Sequence, residues 1–204
     1  MRVVTADIVT GARAPGEMLP REQDLAAEFG ISRGVARECI RAMEEHGLIS
    51  VKHGRGATVN PSTDWDLFDP DVLAAMLDRP DGGELLAEYL ECRHILEVEA
   101  AGLAATRATK RDLERLAGAL DAGDGAAFHQ ALVAASGNRA LGALLETVTA
   151  GMPQAPDHVD ELRLVLTAIA AGDADGAKRA MVAHRASVAA ELAARMKVRR
   201  RALA

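Results

Sequence analysis

Three arginines recur at helical spacing in the first quarter of the chain. Arg33, Arg37 and Arg41 stand at i, i+4 and i+8, so an α-helix would present them on one face. A guanidinium can bind guanine O6 and N7, or a phosphate, through two parallel hydrogen bonds. The alternative is a solvated helix face on which the arginines pair with nearby glutamates. The spacing alone is compatible with both interpretations.

The elements around these arginines predict a DNA-binding fold. Pro20 is suited to the first position of a helix that Gly30 ends, and Ser32 is a good N-cap for the second helix, which carries the arginines. Strand patterns over 48–52 and 57–60 flank a glycine-rich turn. This order is that of a winged helix-turn-helix, in which the N-terminal end of the second helix enters the major groove of double-stranded DNA.

The remainder of the chain has helical patterns throughout. We therefore expect a mainly α protein with an N-terminal winged helix-turn-helix and a C-terminal all-α bundle. The predicted domains are 1–60 for DNA binding, 61–79 for a linker and linking helix, and 80–204 for the bundle. The candidate helices cover about 70–78, 83–107, 110–121, 124–135, 138–150, 157–171 and 173–197. In the linker, Trp65, Leu67 and Phe68 are expected to anchor the chain onto a domain.

The composition limits the kind of protein. The net charge is −6, but residues 1–60 carry eight basic and eight acidic side chains, so the excess negative charge lies in the remainder. Phosphate binding needs a local positive face rather than a basic protein. There is no run of eighteen apolar residues, no signal-peptide pattern and only two cysteines, Cys39 and Cys92. We therefore expect a cytoplasmic protein without a membrane span.

Three motifs in the first sixty residues resemble the GntR family of bacterial regulators. Residues 15–26 resemble its "pG-x-x-LP-x-E-x-x-La" opening, residues 30–38 its "gvSR-x-x-vRe" signature, and residues 47–59 its "Gli…G-x-G-x-x-V" wing. The resemblance implies a homodimer that binds a double-stranded DNA operator. The DNA-binding residues it implies are Gln23, Ser32, Arg33, Gly34, Val35, Arg37, His53 and Gly54.

The remainder resembles the FCD-type ligand domain of the FadR subfamily. The matching segments are 91–101, 128–138 and 168–184, and residues 67–73 resemble the linker of members that respond to sugar acids. This resemblance implies a small-molecule effector, expected to be a carboxylate, bound by Arg93, His129 and His184. The alternative for Arg93 is an ordinary ion pair with Glu97 at i+4.

Members of this subfamily commonly hold a metal ion with one Asp and three His. Here His129 and His184 stand at two of the histidine positions. Gly125 occupies the position of the expected aspartate, and Leu162 that of the third histidine. The match to the metal site is therefore partial.

Two interpretations of this partial match remain open. In one, Asp124 or Asp121 joins His129, His158 and His184 in a rebuilt site for Zn, Ni or Mn. In the other the metal site is lost, and His129 and His184 are histidines of the core or of a ligand pocket.

These observations predict a ligand-responsive transcription regulator rather than an enzyme, and a repressor released by its effector. One alternative is a DNA-binding protein without a ligand. Another is a helical metalloenzyme built on the three histidines. Against the enzyme, the sequence has no nucleophile with an adjacent base, no phosphate-binding glycine loop and no metal motif of fixed spacing.

Overall fold

A computed structural model describes residues 2–52, 55–153 and 158–203, with side chains described as far as residue 195. The chain divides into two compact units, Met1–Gly82 and Gly83–Ala204. Each unit has its own hydrophobic core. The fold is mainly α, as predicted, with a small two-stranded sheet in the first unit. None of the described helices is long and apolar enough to span a bilayer.

Three short helices open the first unit. Their apolar faces meet in one core, to which Ile8, Leu25 and Ile40 contribute. The prediction that the second helix begins at Pro20 was wrong. The helix begins two residues later, at Glu22, and Arg21 before it is in extended conformation. The backbone N–H of Leu19 donates to the carbonyl of Ala57, and this pairing keeps the chain extended there. The helices are α1 (Arg2–Val9), α2 (Glu22–Phe29) and α3 (Arg33–Glu45).

The wing is an antiparallel hairpin of β1 (Ile49–Lys52) and β2 (Gly56–Val59). Ile49 pairs with Val59 and Lys52 with Gly56. The outer edge of β2 also pairs with the segment before α2, through a bridge between Met18 and Thr58. The sheet is thereby fastened to the start of the helix-turn-helix.

A polar junction joins the end of α3 to the wing. Gly47 follows the helix with φ +72°, and a Cβ at this position would meet the backbone carbonyl oxygen of Asp64. Asn60 Nδ2 donates to the Gly47 carbonyl at 2.8 Å, and Ser50 Oγ donates to Asn60 Oδ1 at 2.7 Å. Trp65 Nε1 donates to the Asn60 carbonyl at 3.2 Å. Asn60 therefore holds the helix end, the hairpin and the following segment together.

The segment after the wing belongs to the first unit. A short 3-10 helix, η1 (Ser62–Asp64), precedes α4 (Pro70–Leu77), which packs with α1 and buries Val72 in the first core. Trp65 is buried as expected, but Leu67 and Phe68 are exposed, so the prediction that they anchor the chain was wrong. Asp66 Oδ1 accepts from the backbone N–H of Phe68 in a local turn, and this turn leaves both side chains outside the core.

The second unit consists of long and medium helices around an apolar core. Phe128, Leu116, Leu162 and Met181 are fully buried there. The predicted helices match within a few residues, except that the last one continues to Leu203 instead of 197. The helices are α5 (Gly82–Arg107), α6 (Lys110–Asp121), α7 (Gly125–Ala135), α8 (Arg139–Thr149), α9 (Val159–Ala170) and α10 (Ala174–Leu203).

Candidate DNA interface and helical pocket

The start of α3 is an exposed helix N-terminus with a side-chain cap. Ser32 lies in extended conformation, and its Oγ accepts from the backbone N–H of Val35 at 3.2 Å. Ala36, Ile40 and Met43 turn inward to the core. The face that remains toward solvent presents Arg33, Gly34, Val35 and Arg37. Such a terminus offers free N–H groups to an anion, and its first turns can enter a groove.

The three arginines of this helix differ in their pairing. Arg41 forms an exposed ion pair with Glu38 at 3.2 Å, as the solvated-face interpretation predicts. Arg33 and Arg37 form no ion pair or hydrogen bond with another described residue. Their guanidinium groups can therefore bind phosphates or base edges without breaking an ion pair or hydrogen bond to a described residue.

The other residues expected at DNA come before and after α3 in the chain. Gln23 is exposed in the first turn of α2. His53 and Gly54, expected at the tip of the wing, lie outside the described residues. Arg55, next to them, is exposed.

The second unit contains a cavity of about 550 Å³ between α5, α7, α8 and α10. Its polar lining comes from Arg93 and Glu97 on α5, His129 on α7, and His184 and Arg185 on α10. The structure thus brings the three predicted effector residues to one cavity. It adds a carboxylate and a second arginine to them.

Glu97 is the charged centre of this pocket. It is 0% exposed, and its Oε1 accepts from Arg93 Nε at 2.8 Å. His129 Nδ1 lies 3.2 Å from Oε1, and Arg185 Nε lies 3.3 Å from Oε2. Burial alone would raise the pKa of Glu97, but the facing positive groups outweigh it and lower the pKa. Arg93 therefore makes the i+4 ion pair that was the alternative interpretation of its role.

Both pocket histidines favour the neutral form. Burial lowers the pKa of His129 to about 4, against the opposing effect of Glu97. At neutral pH the arginines, rather than His129, therefore keep Glu97 ionised. Burial and the neighbouring Arg185 also lower the pKa of His184, whose Nδ1 lies 3.2 Å from Glu161 Oε2. Nε2 of His184 is buried without a hydrogen-bond partner.

Arg185 was not among the residues singled out from sequence. It is only 2% exposed, and burial lowers its pKa to about 10, so it stays charged at neutral pH. Its Nε and Nη2 make no hydrogen bond. The only sequence signal was its position after His184, and adjacent helical residues point about 100° apart. The pattern therefore did not predict that both would reach the same pocket.

The remaining candidate metal ligands have other partners. Asp124 is exposed and caps α7, with Oδ1 accepting from the backbone N–H of Ala127 at 2.8 Å. Asp121 Oδ1 pairs with Arg163 at 3.2 Å. The Nε2 of His158 lies 3.3 Å from Glu191 Oε2.

His184 lies near both other histidines, but the three side chains do not form a metal-ligand set. Ring centroids are 5.4 Å apart for His129 and His184, and 6.1 Å apart for His158 and His184. Within the described parts of the chain, no group of three or more His, Cys, Asp or Glu side chains is arranged to hold a metal ion. The guanidinium of Arg185 also places positive charge beside the imidazoles, where it would repel a dication. The described residues therefore do not fit a bound metal.

The architecture defines a class of protein. A winged helix-turn-helix with an exposed recognition helix, followed by a helical unit with a polar pocket, is the architecture of a ligand-responsive, DNA-binding transcription regulator. Comparison with protein families agrees. The family "Bacterial regulatory proteins, gntR family" matches residues 2–59, and the FCD domain matches residues 88–187.

Individual relatives support the same class. The galactonate operon transcriptional repressor of Escherichia coli K12 is 39% identical over 114 residues, which cover 56% of this chain and half of that repressor's length. The transcriptional regulator LutR of Bacillus subtilis is 30% identical over 89% of this chain and 94% of its own length. A solved structure of Lar, which controls expression of the Listeria monocytogenes agr system, has the same fold. Its TM-score is 0.57 at 20% identity, over 95% of this chain and 94% of Lar.

This chain belongs to the GntR family of bacterial transcription regulators and carries an FCD domain. Its relatives are regulators and not enzymes, which excludes the alternative of a helical metalloenzyme.

Proposed function

We propose that this protein is a repressor that binds its operator as a homodimer and is released by a small carboxylate. The observation that carries the proposal is the exposure of Arg33 and Arg37 without ion-pair partners among the described residues. A galactonate operon repressor among its relatives supports the repressing role and an acidic effector. We also propose a cytoplasmic location, because the operator DNA of a bacterium lies in the cytoplasm.

At the operator, the N-terminal half of α3 lies in the major groove. Arg33 and Arg37 read guanines or hold phosphates, and Val35 contacts thymine methyl groups. Ser32, Gly34 and Gln23 bind the phosphate backbone, and the wing residues His53 and Gly54 reach the adjacent minor groove. Two copies related by a twofold axis bind two half-sites of a pseudo-palindrome.

Release requires that the effector bind unequally to two arrangements of the protein. A carboxylate in the pocket lined by Arg93, His129 and His184 favours the arrangement with lower operator affinity. The coupling is reciprocal, so operator DNA lowers the affinity for the effector by the same factor.

The test is binding of the full-length protein to fluorescent DNA from upstream of its own gene, at several salt concentrations. We expect Arg33→Ala to weaken specific binding by at least about tenfold, because a bidentate guanine contact contributes roughly 1–3 kcal/mol and the homodimer would lose one in each half-site. Arg41→Ala is the matched control, since Arg41 already pairs with Glu38. The affinity of the Arg41→Ala variant for the operator should stay within about threefold of wild type, because an exposed ion pair contributes little energy.

Equal affinities of wild type and Arg33→Ala for the operator would overturn the assignment of the recognition surface. Weak binding that falls steeply with salt in both proteins would indicate phosphate contact without sequence reading. An operator complex that no carboxylate weakens would overturn effector release while preserving DNA binding.

A further inference from the structure

The deep part of the pocket carries an excess positive charge. Arg93 and Arg185 face a single buried carboxylate, Glu97. The other carboxylate on the cavity wall belongs to an exposed residue of α8, Glu146, where water screens it.

The excess charge is concentrated on Arg185. Arg93 directs its Nε to Glu97 at 2.8 Å, whereas Arg185 Nε lies 3.3 Å from the same carboxylate without hydrogen-bond geometry. Nη2 of Arg185 is also buried without a partner. Unpaired buried N–H groups of a charged side chain are costly. An oxygen of an anionic ligand would satisfy Nη2, while Nε continues to face Glu97.

A hydrogen-bond acceptor lies beside these donors. Nδ1 of His184 faces Glu161 Oε2 at 3.2 Å, and a carboxylate oxygen can only accept, so Nδ1 carries the proton. The buried and unpartnered Nε2 of the neutral ring is then an acceptor. It can receive a hydrogen bond from a ligand hydroxyl next to the carboxylate.

From these contacts we infer that the pocket binds a hydroxy-carboxylate directly on Arg185 and His184, with no metal ion between protein and ligand. The inference rests on the proposed function and names how its effector is held. It departs from the metal-dependent site expected of the subfamily. Gly125 and Leu162 replace two of the ligands of that site, and Arg185 supplies positive charge instead.

The experiment uses the full-length protein, freed of metal by EDTA and dialysis, with metal content checked by mass spectrometry. Binding of L-lactate and D-galactonate is measured by calorimetry, with propionate and hexanoate as matched acids that lack the hydroxyls. We expect saturable binding of at least one hydroxy acid, weaker binding of its matched acid, and less than a twofold change on adding Zn²⁺.

Variants on α10 identify the binding group. We expect Arg185→Met to weaken binding by at least about tenfold, because a buried charge-assisted hydrogen bond to the ligand is lost. Arg179→Met on the same helix is the control, since Arg179 is exposed and lies 3.8 Å from Asp173; it should bind like wild type. Arg185→Lys keeps the charge beside Glu97, so it should fold even if the methionine variant does not. It should bind with intermediate affinity.

Three results would overturn the inference: binding only after Zn²⁺ is added, equal binding by wild type and both Arg185 variants, or no binding of either L-lactate or D-galactonate. Zn²⁺-dependent binding would still be compatible with the proposed function. Operator binding by Arg33→Ala is measured with DNA alone and needs no ligand in the pocket. The two experiments therefore distinguish failure of the proposed function from failure of the pocket assignment.

Discussion

At the scale of single residues, Glu97 shows why a buried charge must be interpreted with its partners. Removing a carboxylate from water costs more than one ion pair returns, and Glu97 has Arg93 and Arg185 beside it. The first pair could be anticipated from sequence because the residues stand at i and i+4 on one helix. The second joins α5 to α10, and no local pattern predicts a contact between residues so far apart in the chain.

The lowered pKa of His129 predicts that the second unit becomes less stable in acid. Its pKa falls from 6.5 to about 4 on folding, so the unfolded chain binds the proton more tightly between those values. The contribution of His129 to the free energy of unfolding is fully present above about pH 6.5 and is lost as the pH falls toward 4. A pKa change of this size corresponds to a loss of roughly 3 kcal/mol. Urea unfolding of the helical unit at a series of pH values measures it.

His129→Gln should remove most of this pH dependence. What remains comes from His184, whose pKa is also lowered, and at lower pH from Glu97, whose lowered pKa makes its protonation costly. His94→Gln, a half-buried histidine of α5, is the control and should keep the wild-type slope. A His129→Gln protein with an unchanged slope would show that another group causes the acid sensitivity.

At the scale of elements, the junction between α3 and the wing fixes two parts of the proposed DNA-binding surface relative to each other. Asn60 connects the helix end, the hairpin and Trp65 through three hydrogen bonds. The sequence predicted both elements and the glycine between them. It did not predict Asn60 as their connection, because an asparagine beside a proline indicates only a turn.

Gly47 is the position where this junction is most sensitive. Gly47→Ala should destabilise the first unit by more than about 3 kcal/mol, because it adds a clash with the backbone of Asp64 to the strain of positive φ. Gly30→Ala is the matched control. Gly30 has φ +64°, but a Cβ there meets no atom within 4 Å, so only about 1–2 kcal/mol should be lost. Thermal unfolding monitored by Trp65 fluorescence measures both, and equal losses would contradict the role of the close approach.

At the scale of the whole molecule, two separate cores divide the chain at Gly82 and Gly83. We therefore predict that a fragment of residues 83–204 folds alone, with helical circular dichroism and a cooperative thermal transition. In the full chain, Gly47→Ala should lower the transition of the first unit and leave the second unchanged. A fragment that is unfolded, or a full chain with one shared transition shifted by Gly47→Ala, would show that the units depend on each other.

The helical framework was largely predictable because its signals are local. Caps such as Ser32 and breaks such as Gly30 stand next to the helices they limit. The pocket was predictable only in part, through Arg93, His129 and His184. Arg185 and the Asn60 junction depend on which distant segments meet in three dimensions, and single-sequence periodicity does not contain that information.

The pairing of Glu97 with Arg185 also sets an order of events during protein synthesis. At roughly 5–20 residues per second, α5 leaves the ribosome several seconds before α10. During that interval Glu97 has Arg93 but not its second arginine, and burying it is then unfavourable. The pocket wall therefore closes only after translation of α10. A chain that ends before α10 lacks part of the pocket wall. It also exposes the apolar core of the second unit, a surface that chaperones bind.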